Sequence, residues 1–277
     1  MARFGHFHNQ APVASWRDTL ARLTPYPVGP DGYLIGRDQP LDQSHRHFSH
    51  LFMVYPLRLV AGANAEERAL IERSLAHWIG FEGALQGQSF VGASAISSLL
   101  GKGDDAERFL VELLKRYVKP NTMYMDPADR SRPGSGNDFP VLETPLAAAQ
   151  AIHEMLLQSW GGTLRIFPAI PGGWKEIAFH ELRAEGAFLV SAVRRGGRTV
   201  LVKVQSLAGE PADLRADLDD PEIVGSSRKA TAKRQADGTW RLTLAKGESL
   251  VLQARGAFDR SIAPVAATGD QNAFGLR

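Results

Sequence analysis

The pattern of apolar and polar positions changes period part-way along the chain. From Asn64, a candidate N-cap with Glu67 three residues on, Leu70, Ile71, Ser74, Leu75 and Trp78 repeat at helical spacing. Upstream, Trp16, Leu20 and Leu23 share one helical face before Pro25 and Pro27 stop that segment. A loop rich in proline, glycine and aspartate runs from Tyr26 to Gln43. Downstream, the small residues from Ser89 to Leu100 predict a helix ending at Gly101. Asp104 and Glu107 open another, whose buried stripe would be Phe109, Leu110, Leu113, Leu114 and Tyr117. Between Asn121 and Val141 the chain is polar and without periodicity, as a long functional loop would be. Thr144-Pro145 then has the form of a cap followed by a first-turn proline, and a helix follows to about Ser159, before Gly161-Gly162.

After that point the period becomes two. Phe188, Val190 and Ala192 alternate up to Gly196-Gly197, a two-residue hairpin signal, and Val200, Val202 and Val204 return. Asp237-Gly238 marks a second hairpin, flanked by Lys233 and by Trp240, Leu242 and Leu244. The stretch Ile166 to Trp174, with two prolines and a tryptophan, reads as a rigid packed corner. A helical half followed by a β half predicts an α+β chain. Helix hairpins in a chain of this size suggest an α/α toroid or bundle, although five or six helices are too few to close a double ring.

Composition narrows the partners. The chain has 277 residues, enough for one large domain or two ordinary ones, and its 44% hydrophobic and 22% charged content is ordinary for a soluble protein. With 32 Lys and Arg against 30 Asp and Glu and no basic run, neither nucleic acid nor an anionic membrane is indicated as a partner. The absence of cysteine excludes disulfides, thiolate-bound zinc, iron–sulfur clusters and a thiol nucleophile. No apolar run is long enough to span a bilayer, and residues 1–8 lack the apolar core of a signal peptide. The chain reads as soluble, with its compartment left open.

The candidate chemistry is concentrated in Ser44-His45-Arg46-His47-Phe48-Ser49-His50-Leu51, which holds three of the eight histidines. A helix beginning near His47 would put His47 and His50 on one face, with His45 at the entry turn. Three imidazoles could form an open zinc site, but the spacing is weak and no HExxH-type base accompanies it. Caps, backbone bonds and a surface ion pair are the bland alternative. A third is sugar recognition, in which imidazoles and Arg46 bond ring hydroxyls. Glu143, at the mouth of a helix, either complements the helix dipole or acts as one carboxylate of a glycosidase pair.

Taken in order, HRHFSHL, GQSFVGAS with LLGKGDDA, ETPLAAAQAIHEMLLQSWGGTLRIFPAIPGGW and LRAEGAFLV resemble the C-terminal half of glycoside hydrolase family 95, the inverting α-L-fucosidases and their α-L-galactosidase relatives. The histidine run is similar to the family's HRHxSHL, Ile152 to Ser159 with Phe167 to Trp174 to its IAEMLLQS and LPALPxxW, and Leu182 to Phe188 to its LRARGGF. The resemblance spans Ser44 to Val204. It implies part of an (α/α)6 barrel over residues 1–160, a small antiparallel β-sandwich over 161–257 and a flexible tail over 258–277. It also implies roles. Glu143 falls where the family has the aspartate that polarises the attacking water, and His45, Arg46, His47 and His50 fall on the motif bordering the sugar.

The family's Gly-Asn after that aspartate is Thr144-Pro145 here, and its Trp-Lys after the GxS motif is Gly92-Ala93. The family's general acid and water-holding asparagines lie N-terminal to the histidine motif, where this chain shows no match. The expectations are therefore an oligosaccharide substrate, no cofactor and no metal, with the N-terminal half of the same enzyme as a partner. The isolated chain is expected to show little or no hydrolysis. The alternative is a non-catalytic carbohydrate-binding or structural piece.

Overall fold

The computed structural model describes residues 10–127, 138–257, 259 and 261–266, with side chains from residue 13 onward. Five α-helices come first: α1 (Gln10–Ala21), α2 (Ala65–Gly80), α3 (Gly87–Leu99), α4 (Gly103–Tyr117) and α5 (Glu143–Leu156). On α2, Asn64 Oδ1 accepts the Glu67 amide at 2.8 Å, so the predicted cap is real, and Ile71, Ser74, Leu75 and Trp78 are buried. Every residue of α3 except Gln88 is buried, including four serines. Its small side chains let α4 and α5 close on it, and an enclosed helix has no polar stripe to show. Acidic Asp104 and Asp105 start α4 and basic Lys115 and Arg116 end it, both favourable to its dipole.

Three helical expectations need correction. Trp16 and Leu20 on α1, and Leu23 beyond its end, are all more than half exposed and belong to neither hydrophobic core. Leu114 is 45% exposed, so the buried stripe of α4 is Phe109, Leu110, Leu113 and Tyr117. Thr144 is no cap. The helix already begins at Glu143, and the Thr144 side chain is buried inside its first turn.

Short pairs β1 (Val28–Gly29) with β2 (Gly32–Tyr33), and β3 (Met125–Asp126) with β4 (Phe139–Pro140), decorate the helical half. The second pair joins the two described ends of the polar loop, whose residues 128–137 lie outside the described set. Ten strands follow: β5 (Leu157–Gln158), β6 (Thr163–Ile166), β7 (Ile177–Ala184), β8 (Phe188–Arg195), β9 (Arg198–Ser206), β10 (Ala212–Arg215), β11 (Glu222–Ser226), β12 (Thr231–Arg234), β13 (Trp240–Thr243) and β14 (Ser249–Gln253). They form two five-stranded sheets, ordered β12-β13-β10-β6-β5 and β11-β14-β9-β8-β7. The inner faces share one core that includes Leu164, Leu214 and Leu242 from the first sheet with Val190, Val202 and Leu252 from the second. Gly196-Gly197, both at positive φ, makes the turn between β8 and β9, and Asp237-Gly238 the turn between β12 and β13. The expectation of a wholly antiparallel sandwich is corrected at one place: β6 and β10 run parallel. Most of the segment 258–277, expected to be a flexible tail, falls outside the described residues.

The corner from Ile166 to Trp174 ties the sheets to α4. The Gly172 amide donates to Asp104 Oδ1 at 2.8 Å, and Trp174 Nε1 donates to Glu107 Oε1 at 2.7 Å. A Cβ on Gly103 would lie 2.3 Å from the Ile170 carbonyl carbon, so only glycine lets the two backbones meet there.

Candidate functional site

The histidine run is held by its backbone and by small polar groups, which leaves its rings available. Trp78 Nε1 donates to the His45 carbonyl at 2.8 Å, and Ser89 Oγ donates to the Arg46 carbonyl at 2.6 Å. Ser44 Oγ donates to the Phe81 carbonyl and accepts the Ala84 amide. Phe48 is buried under the run, with its ring 5.0 Å from that of Trp78. It fits because residue 92 is glycine: a Cβ there would lie 2.2 Å from Phe48 Cε1. The departure of Gly92-Ala93 from the family's Trp-Lys thus has a steric counterpart.

The predicted helix at His47 does not form. A single 3₁₀ turn spans Ser49–Leu51, so His47 precedes it and the two rings do not stack on one helical face. His45 and His47 instead lie side by side, ring centroids 5.5 Å apart. The His47 amide lies 3.1 Å from His45 Nδ1, and the His47 carbonyl 3.2 Å from the same nitrogen, so the His45 ring is turned onto the His47 backbone. Burial, then the neighbouring His77 and His45, depress His50 to about 4, so it is neutral near neutral pH. His47 is also lowered, by burial and then by Arg46 and His45, with Asp126 acting in the opposite direction. Neutral imidazoles both donate and accept, which suits them to hydroxyl groups. Among the described residues, no group of three or more His, Asp or Glu is placed to hold a metal ion.

Three residues that the sequence did not single out build the other side of this region. Gln86 accepts from Arg46 Nη1 at 3.3 Å and donates to the Pro127 carbonyl at 3.5 Å, linking the histidine run to the start of the polar loop. Asp126 is buried and accepts a hydrogen bond from Tyr124 Oη. Tyr124 also bonds the Thr144 side chain, and its own pKa is raised, first by burial and then by Asp126. Tyr124 and Asp126 are two apart on an extended segment, a spacing that puts both on one side. That much was legible; their partner Thr144, across the loop, was not.

Glu143 is exposed at the first position of α5 and makes no side-chain hydrogen bond with the described residues. Its chain neighbour Thr144 bonds Tyr124, Tyr124 bonds Asp126, and the Asp126 charge acts on His47. Residues 6–156, slightly over half of the chain, match the glycosyl hydrolase family 95 catalytic domain. The chain belongs to glycoside hydrolase family 95. Within this family-95 chain the matched span takes in the histidine run, Gln86, Tyr124, Asp126 and Glu143, and it stops where α5 gives way to β5. The family membership makes the chain a glycoside hydrolase by class. No curated protein matches it. No helix among the described residues is long and apolar enough to cross a membrane.

Proposed function

We propose that this chain forms one wall of an inverting glycosidase site acting on α-L-fucosidic or related α-L-galactosidic linkages in oligosaccharides. His45, Arg46, His47 and His50 bond sugar hydroxyls. Glu143 polarises the water that attacks the anomeric carbon from the face opposite the leaving group. The Asp126 carboxylate acts on His47 through its charge, opposing the effect of burial. The observation that carries this reading is Tyr124, which bonds Asp126 beside His47 and Thr144 beside Glu143, so that both candidate groups border one region.

The helices are part of an (α/α)6 barrel in this reading. Exposed apolar side chains support it: Leu142, just before α5, and Leu146, on its first turns, offer a patch on which further helices would pack. The general acid and the remaining barrel helices would come from the N-terminal half of the enzyme.

Calorimetric titration of the chain with L-fucose and L-galactose, alongside an assay on aryl α-L-fucosides and α-L-galactosides, tests the reading. Saturable binding that is lost in His47→Ala, with no turnover, is expected. Failure of both sugars to bind overturns the sugar-wall reading. Turnover abolished by Glu143→Gln overturns the placement of the acid outside the chain.

A further inference from the structure

A cavity of about 560 Å³ lies where the helical half meets the first sheet. It is lined by three guanidinium groups, Arg68, Arg165 and Arg215, and by a single carboxylate, Asp217. Arg165 on β6 and Arg215 on β10 are direct partners across the parallel strand pair. Like charges in that position repel, and no described carboxylate forms an ion pair with any of the three arginines. Burial and then the Arg215 charge lower the pKa of Arg165 to about 10.

The cluster is held open rather than left floppy. The Arg165 guanidinium lies 3.6 Å from the centre of the Trp160 ring, and its Nη1 is spent on the Trp160 and Thr163 carbonyls. Its Nε and Nη2 make no hydrogen bond in the described structure. The cavity is also lined by Ser98, a fully buried residue whose hydroxyl has no hydrogen-bond partner. A cross-strand pair of arginines with no ion-pair partner among the described residues, one of them with unused guanidinium donors, asks for an acceptor-rich anion.

We propose that this cavity binds the charged group of an anionic saccharide, a carboxylate or a sulfate ester. The oxyanion sits between Arg165 and Arg215, accepting the free donors of both guanidiniums, while Arg68, held by the Leu100 carbonyl, adds its charge to the cavity wall. The space exceeds what a bare ion needs and leaves room for one sugar ring beside Trp160. This site is separate from the histidine run and does not depend on which linkage the enzyme cleaves.

Calorimetric titration at constant ionic strength tests it with four probes: D-galacturonate, D-galactose 6-sulfate, neutral D-galactose and inorganic sulfate. One or both anionic sugars should bind at least roughly 10-fold more tightly than galactose, since a charge-assisted hydrogen bond is worth more than a neutral one. Carboxylate or sulfate ester is then distinguished by which arm binds. Arg215→Gln, at an exposed strand end, should weaken that binding roughly 10-fold without lowering the thermal midpoint. Arg165→Gln should abolish it, with circular dichroism confirming that the sheets remain. Equal affinity for galactose and the anionic sugars overturns the proposal. So does binding of inorganic sulfate alone, or sugar binding unchanged by Arg215→Gln.

Discussion

Arg58, in the loop that follows the histidine run, donates to the carboxylate of Glu154 on α5, 96 residues further along the chain. Both side chains are largely buried, and Gln150 Nε2 supplies a second bond to Glu154 at 2.9 Å. The Tyr55 ring lies beneath the guanidinium, 5.6 Å away. This pair fixes the segment carrying the histidines against the helix that begins at Glu143. It therefore bears on the site as well as on stability.

Removing one partner of a buried ion pair leaves an uncompensated charge, which costs about 3 to 5 kcal/mol. Arg58→Ala should lower the unfolding free energy by about 3 kcal/mol in urea titrations followed by circular dichroism. The double replacement Arg58→Leu with Glu154→Leu should recover much of that loss, because it leaves no charge behind. Equal destabilisation by the single and double variants would mean that packing, not charge, is what Arg58 contributes.

Stability should fall in acid because His50 is held neutral. Its pKa is about 4 in the folded chain against an ordinary 6.5. A group whose pKa is depressed on folding binds more protons when unfolded, so its contribution is complete above pH 6.5 and is lost as pH falls toward 4. His50 keeps some contact with solvent, so the loss is held to at most about 2 kcal/mol. Urea midpoints measured between pH 7 and pH 4.5 should drop less steeply for His50→Gln than for the parent chain. Parallel pH profiles for the two proteins would remove His50 as the cause.

Gly92→Ala probes the support beneath the histidines. The new methyl would overlap the Phe48 ring, which is already packed against Trp78 and Phe52. Overpacking of this kind costs about 1 to 3 kcal/mol. Differential scanning calorimetry should show a lower midpoint, and the affinity for L-fucose should fall as His47 and its neighbours shift. An unchanged midpoint would show that the ring moves aside freely.

The family could be read from the sequence because its motifs are local strings in a fixed order, and residues 6–156 carry that assignment. The two-part fold was legible for a similar reason. Helical and alternating periods are local properties, and the Asn64 cap and the Gly196-Gly197 and Asp237-Gly238 turns each lie within a few residues of what they organise. What is decided between distant segments was not legible. Periodicity put Trp16, Leu20 and Leu114 on apolar faces but could not say whether anything packs there, and it is not met by the described core. Thr144 had the composition of a cap, yet its hydroxyl is taken by Tyr124 across the polar loop.

The tertiary structure alone brought the Asp126 charge to bear on His47, lowered the His50 pKa by burying it near His77 and His45, and paired Arg165 with Arg215. Charge and burial depend on what chain reversal brings within a few ångströms, and no local pattern encodes that distance. The sequence determined the family, the helical and β halves and the candidate groups; the packing decided which of those groups meet.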